Sequence, residues 1–256
     1  MSETSSQVLI SILTPAYNAE RFIAETLDSV LAQTHKNWEH LVVVDANSKD
    51  RTLQIVQEYA QKDSRIRCIT SADALGAANN RNIGVKQSRG QFMAFVDSDD
   101  LWTPDKLEKQ LSFMQERQID FSFHTYRRIS EQGERRGKVQ CIPEVVDYVG
   151  LLSNNSIGCL TVMLRRSAFS EVHFSNKGWE DMACWLGLLR SGSKAYGLKE
   201  PLAYYRIVNG SRSNNKLFSA GLRWDTYRKV EKLPFLQSSI YFLQYALSSC
   251  LKHSRF

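Results

Sequence analysis

Phe92-Met93-Ala94-Phe95-Val96-Asp97-Ser98-Asp99-Asp100 carries the clearest sign of the chain's architecture. An unbroken apolar run stops abruptly in three carboxylates. A short run of this kind, with no polar alternation, reads as a strand buried on both faces. Its polar end marks where a parallel sheet carries its ligands. The pattern recurs upstream. Val8–Leu13 is apolar and ends at Thr14-Pro15, where the proline removes a backbone donor and stops the strand. Leu41–Val44 ends at Asp45, and Ile66–Ile69 is a third run. Helical periods separate them. Phe22, Ile23, Leu27, Val30 and Leu31 share one face, with Asn18 as the expected N-cap. Leu53, Ile55, Val56 and Tyr59 mark a second helix entered through Ser48 or Asp50, and Ala77 to Val85 a third, rich in small residues. This alternation predicts parallel βαβ units, with the chemistry at Thr14–Asn18, Asp45–Asp50 and Asp97–Asp100.

The pattern changes after Asp100. Thr103-Pro104-Asp105 is a helix start, a capping hydroxyl followed by proline and an acid, and the helix runs through Leu107, Leu111 and Met114. Phe121–Tyr126 and Val139–Ile142 read as antiparallel strands around a basic loop, Glu131–Lys138. Leu160–Leu164 reads as another strand and Trp179–Leu189 as a helix. Asn209–Asn215 is polar, and from Pro234 onward Phe235, Leu236, Ile240, Leu243, Ala246, Leu247, Cys250 and Leu251 share a helical face. The 256 residues suffice for one large domain or two small ones, and 43% hydrophobic content excludes a disordered chain. Net charge +6 suits anionic partners such as nucleotides, phosphorylated lipids, membrane surfaces or nucleic acid. The five cysteines are scattered and form no CxxC pair, which reads as a reduced chain without disulfides or zinc. His35, His40, His124, His173 and His253 have no ligand spacing.

Three crowded carboxylates repel one another unless a cation or hydrogen bonds compensate, and carboxylate oxygens are the ligands Mg²⁺ and Mn²⁺ prefer. The competing reading is a polar turn that caps the next helix. Context bears on the choice. Thr14-Pro15-Ala16-Tyr17-Asn18, Asp45-Ala46-Asn47-Ser48-Lys49-Asp50-Arg51-Thr52, Gly76-Ala77-Ala78-Asn79-Asn80-Arg81-Asn82-Ile83-Gly84 and the acidic strand end follow in order. Together they resemble the nucleotide-sugar half of family 2 glycosyltransferases of the bacterial surface-polysaccharide type, from about Ile10 to about Ser213. The resemblance implies a GT-A, Rossmann-like fold: a mixed, mainly parallel sheet flanked by helices, with a C-terminal helical extension. It implies a catalytic domain over 1–228 (a nucleotide-sugar half to about 100, an acceptor half over 101–228) and an amphipathic helical tail over 229–256.

By the same resemblance Thr14 and Tyr17 match the base pocket, and Asp45 matches the first acid of a pair that contacts the base. Ala46 stands at the second position, removing an acceptor expected for uracil. Arg81 matches the arginine facing base and phosphates. Asp97 and Asp99 match the Asp-x-Asp motif, with Asp99 on the Mn²⁺ or Mg²⁺ and Asp97 on ribose or metal. Asp181 of Trp179-Glu180-Asp181 matches the catalytic base, and Glu180 would position it or the acceptor. A sugar hydroxyl has a high pKa and needs such a carboxylate within hydrogen-bond reach. Tyr204-Tyr205-Arg206 and Asn209-Gly210-Ser211-Arg212-Ser213 resemble a loop that closes over the diphosphate, so Arg206 or Arg212 would pair with phosphate. Trp179, Gly158 and Cys159 fall where the acceptor site is shaped.

The implied function is inverting, metal-dependent transfer from a nucleotide-diphospho sugar, with a UDP-sugar first, to a glycan hydroxyl. The implied acceptor is a lipid-linked oligosaccharide in surface-polysaccharide synthesis. Nucleotidyl transfer is the alternative enzyme reading, but Thr14–Asn18 lacks its glycine-rich basic loop. A nucleic-acid-binding module is the other alternative, against which stand scattered Lys and Arg and the absence of a recognition motif. No nucleic-acid partner is therefore expected. The N-terminus lacks a signal-peptide pattern and no segment is a convincing transmembrane helix, so the expected location is cytoplasmic, with peripheral contact on the inner membrane face. The C-terminal segment has two readings: a packing helix, or an apolar face dipping into a membrane with Lys252, His253 and Arg255 at the headgroups.

Overall fold

The structure, a computed structural model, describes residues 7–71, 76–137, 139–208 and 216–253. Strand and helix alternate first: β1 (Ile10–Ala16), α1 (Ile23–Leu31), β2 (Trp38–Val44), α2 (Thr52–Lys62), β3 (Ile66–Thr70), α3 (Gly76–Gln87) and β4 (Phe92–Phe95). Then come β5 (Leu101–Trp102), α4 (Lys106–Glu116), β6 (Phe121–Ile129), β7 (Arg135–Arg136), β8 (Val145–Val146) and α5 (Tyr148–Ser153). The chain ends with β9 (Met163–Arg165), α6 (Glu180–Leu189), β10 (Ala195–Arg206), α7 (Lys216–Asp225) and α8 (Phe235–His253). One mixed sheet takes the order β3-β2-β1-β4-β9-β6-β10-β5. β3, β2, β1 and β4 are mutually parallel, and β6 and β10 are parallel to each other. β9 runs antiparallel between β4 and β6, so both halves of the chain share one sheet.

The apolar runs have no polar alternation because both faces of the sheet are covered. Ile10, Ile12, Phe92, Ala94 and Val96 face a core with Ile23, Leu27 and Val30 of α1 and Leu107, Leu111 and Met114 of α4. Their neighbours Leu13, Met93 and Phe95 face a second core with Leu151 of α5 and Met182, Trp185 and Leu186 of α6. Trp185 centres that core, its ring 5.5 Å from Phe95, 5.6 Å from Phe121 and 5.6 Å from Phe174 in edge-on contacts. Cys68, Cys141, Cys159 and Cys184 are free thiols. His40 and His124 are buried, and burial pushes both down to about 3, so they are neutral.

Three local expectations need correcting. Asn18 does not cap α1, which begins only at Ile23. Asn18 sits at φ 45° in the turn after β1, where its side-chain oxygen accepts from the Lys49 amide at 2.9 Å. A short polar side chain tolerates that left-handed conformation. The partner strand of β6 is Arg135–Arg136, not Val139–Ile142, because a tight turn with Gly133 at φ 84° reverses the chain early. Leu160 lies in a 3₁₀ turn, Cys159–Thr161, and the strand starts at Met163. Of the two readings left open for α8, the helix does pack, but through Tyr241 and Phe242, while Leu236, Ile240, Leu243 and Leu247 of the apolar face look outward. Among the described residues no helix is long and apolar enough to cross a membrane.

Candidate functional site

β4 ends against β1, and the Val96 amide donates to the Leu13 carbonyl at 3.1 Å. The following turn is closed by the Asp100 amide on the Asp97 carbonyl, also 3.1 Å. It sorts the three acids. Asp97 and Asp99 line a cleft, whereas Asp100 is fully buried. The Asp100 carboxyl accepts from the Arg206 amide at 2.9 Å, and its carbonyl accepts from the Thr26 hydroxyl at 2.9 Å. Burial, then the charges of Asp99 and Asp97, push this carboxyl far above the usual range, so it is a neutral brace. Burial also raises Asp99, to about 6, with the Asp97 charge as the next cause.

Arg206 corrects the expectation placed on it. It ends β10, is buried, and donates to the Asp99 carbonyl at 2.9 Å, the Glu131 carbonyl at 2.9 Å and Glu25 Oε2 at 2.7 Å. Its guanidinium also lies 4.7 Å from the Phe22 ring centre. With all three guanidinium nitrogens engaged and the side chain buried, Arg206 shapes the acidic turn from behind and presents nothing to a diphosphate.

Arg81 joins the two acidic motifs. α3 delivers it nearly buried, and it donates through Nη2 to Asp97 Oδ1 at 2.5 Å and through Nη1 to Glu180 Oε1 at 2.6 Å. Residues 16 and 99 positions away thus meet on one guanidinium. The Phe174 ring centre lies 5.5 Å from it. Burial and the charges of Arg81's partners compete, and the partners win, so it stays charged. Asp181, next to Glu180, is pushed up to about 7. Burial is the main cause, the like charge of Glu180 adds to it, and Arg81 and the Met182 amide oppose it. A carboxylate poised near neutrality is what a general base at physiological pH requires.

The start of α6 fixes those acids in place. The Trp179 amide donates to the Thr226 hydroxyl at 2.8 Å, and the helix begins one residue later. Gly178 has φ 73°, and a Cβ there would come within 2.8 Å of the Thr226 backbone. Gly178→Ala therefore combines left-handed strain with a backbone collision, for a loss of about 2–4 kcal/mol. The expected result is a lower Tm together with reduced activity, and calorimetric melting checks it.

The cleft holds about 1170 Å³. Tyr17, half exposed, lines it together with Gly158, Cys159, Trp179, Glu180 and Asp181. Two expected donor residues do not reach its surface. The Thr14 hydroxyl is buried 2.8 Å from His40 Nε2, and the Asp45 carboxylate is spent on the Gly76 amide at 2.9 Å and Asn80 Nδ2 at 3.2 Å. Arg212 lies outside the described residues. The Cys159 thiol is buried and burial pushes it up strongly, so it is an inert part of the wall. Sequence reasoning missed two parts of the lining. Tyr126 and Arg128 bring a hydrogen-bonded pair from the end of β6, and same-face spacing on an extended strand was the available signal. Phe218, Ser219 and Leu222 of α7 form another wall, and no motif marked them.

Asp97 and Asp99 offer hard oxygen ligands, and their mutual repulsion is the kind a divalent cation relieves. Among the described residues no three His, Cys, Asp or Glu side chains cluster to hold a metal. Two carboxylates fit Mg²⁺ or Mn²⁺ where phosphate oxygens complete the shell.

Residues 11–173 match the family model of glycosyl transferase family 2. The putative teichuronic acid biosynthesis glycosyltransferase TuaG of Bacillus subtilis is 42% identical over 250 residues, 97% of this chain and 99% of that protein. The Escherichia coli UDP-Glc:alpha-D-GlcNAc-diphosphoundecaprenol beta-1,3-glucosyltransferase WfgD is 38% identical over 247 residues, 96% of this chain and 95% of that one. Among solved structures, Staphylococcus aureus TarS 1-349 with UDP-GlcNAc superposes with a TM-score of 0.73 at 21% identity, over 93% of this chain and 71% of that chain. The Pyrobaculum calidifontis mannosyltransferase PcManGT with GDP-Man and Mn²⁺ gives 0.68 at 15% identity, over 91% and 69%. Both carry the same fold.

Proposed function

The chain belongs to glycosyl transferase family 2 and is a glycosyltransferase of GT-A fold, and from that premise we propose that it moves a sugar from a UDP-sugar to a hydroxyl of a lipid-linked glycan, with inversion and with the help of a divalent cation, in surface-polysaccharide synthesis. The observation that carries this reading is the Arg81 bridge from Asp97 to Glu180, which sets the donor-end and acceptor-end acids on one cleft. UDP as the nucleotide and the lipid-linked acceptor rest on the printed descriptions of WfgD and TarS. Residues 1–228 are assigned the catalytic work and 229–256 an accessory role.

The chemistry follows from the residues. Tyr17 offers an aromatic face for the base. Asp97 and Asp99 hold the cation, which when bound neutralises charge developing on the departing diphosphate. Glu180, fixed by Arg81, orients the acceptor end of the site. Asp181 takes the proton of the acceptor hydroxyl at its carboxylate. The acceptor oxygen bonds to the anomeric carbon from the face opposite the diphosphate, the bond to the diphosphate oxygen breaks, and UDP leaves with that electron pair. One base suffices because the leaving group needs no proton.

Asp181 must be ionised to act. Its carboxyl sits at about 7, so kcat/KM is expected to rise with pH through that value and then level. A pH–rate profile checks this. A decisive test of the donor offers UDP-glucose, UDP-N-acetylglucosamine, GDP-mannose and dTDP-rhamnose separately, with Mn²⁺ and a diphospholipid-linked glycan. Transfer is expected from a UDP-sugar with an inverted anomeric centre in the product. Transfer from GDP-mannose alone, or retention of configuration, overturns the corresponding part of the reading.

A further inference from the structure

α8 has two unlike faces. Ser238, Tyr241, Phe242 and Tyr245 turn inward: Phe242 lies 5.7 Å from the Trp224 ring, Tyr241 6.2 Å from Tyr227, and Arg223 sits 4.0 Å over Tyr245. The opposite face carries Leu236, Ile240, Leu243 and Leu247, exposed by 71%, 48%, 61% and 59%. Offsets of four, seven and eleven place all four on one line along the helix. Most of the large apolar side chains left exposed among the described residues lie on α7 and α8. A helix already packed on one side gains nothing in folding from an apolar stripe on the other, and a continuous stripe costs solubility unless something covers it.

The charges around the stripe are mostly positive. The sequence has no acid between Leu233 and Phe256 but holds Lys252, His253 and Arg255 there. At the other end, Arg228, Lys229 and Lys232 are exposed ahead of α8, while the two acids there are paired, Asp225 with Lys229 and the buried Glu231 carboxylate with Arg190. An apolar line with no acid along the helix and an excess of cations at its ends matches an anionic bilayer surface: side chains enter the acyl boundary and basic groups meet the headgroups. A second copy of the same cationic stripe would place like charges together. The helix is also joined to the cleft. α7 packs on α8 through Trp224, which also lies 5.7 Å from Phe235, and the same helix lines the cleft with Phe218, Ser219 and Leu222.

We propose that the outer stripe of α8 docks this enzyme on an anionic membrane surface and that α7, packed on it, carries the wall of the acceptor side of the cleft to that surface. The inference rests on the lipid-linked acceptor only for its purpose, since a bilayer-bound substrate is met sooner by an enzyme that rests on the bilayer.

The test is flotation of the purified chain with vesicles of phosphatidylcholine alone and of phosphatidylcholine with phosphatidylglycerol, beside the double variant Leu236→Glu/Leu243→Glu. Both positions are exposed, so the variant is expected to keep its Tm and its stabilisation by UDP with Mn²⁺. Wild type should float with the anionic vesicles, and the variant's bound fraction should fall by about tenfold or more. No flotation of wild type overturns the proposal, as does unchanged flotation of the variant. A wild-type dimer that the substitutions dissolve overturns it in favour of a second copy. Loss of the UDP effect in wild type would count against the donor reading and leave the vesicle result standing.

Discussion

Asp181→Asn is expected to lose about 10²–10⁴ in kcat while binding UDP with Mn²⁺ as wild type does, because proton removal by a positioned base contributes that much to a rate. The asparagine keeps the shape and can still accept from the Met182 amide, which the wild-type carboxylate does at 2.6 Å. What it loses is the ability to take a proton. A second consequence separates the charge from the shape. The folded protein holds this acid near 7, above its ordinary 3.8. A raised carboxyl stabilises the fold fully below the unfolded value, and that contribution disappears as pH rises through about 7. The variant should therefore gain stability over wild type at pH 8 and not at pH 4. Melting curves at both values, set beside the turnover measurement, read the two effects independently. Wild-type turnover by the variant would remove the base assignment.

Asp99→Ala is expected to abolish cation-dependent UDP binding and to reduce kcat/KM by about 10³ or more, since both ground-state binding and stabilisation of the leaving diphosphate depend on the ligand. Asp97 alone is an incomplete replacement, because Arg81 already occupies its Oδ1 at 2.5 Å. The backbone should survive the change, because the Asp99 carbonyl, not its side chain, holds Arg206 at 2.9 Å. Removing the carboxylate also removes a repulsion. Burial first, and the Asp97 charge next, raise this carboxyl from 3.8 to about 6, so its ionised form is disfavoured in the fold at neutral pH. In EDTA at pH 8 the Asp99→Asn protein should accordingly melt above wild type. An equal affinity for UDP in the alanine variant would move the cation elsewhere.

The strand ends were readable because physics makes them conspicuous. Phe92–Val96 is apolar on both faces, since two cores flank it, and the polar residues begin where cover ends. Periodicity likewise marked α1 and α4. The meeting of Asp97 with Glu180 was not legible, because a bridge through one guanidinium has no local signature across such a separation. Arg206 was misplaced for a related reason. The resemblance marks an arginine at a loop expected to close over a diphosphate, but only packing tells whether its donors face the cleft or, as here, Glu25 and two carbonyls. Thr14 and Asp45 sit at the expected strand ends with their polar atoms turned toward His40, Gly76 and Asn80, an orientation that spacing along the chain does not encode. In α8 the helical period was legible, but which face would pack depended on Trp224 and Tyr227, which lie outside it.

Calorimetric titration of UDP into the wild-type protein, once with Mn²⁺ and once with EDTA, tests most directly whether this cleft is a cation-assisted nucleotide-sugar site. The account predicts saturable binding with Mn²⁺ that disappears in EDTA. Equal binding in both solutions would contradict the role given to Asp97 and Asp99, and no binding in either would contradict UDP as the nucleotide.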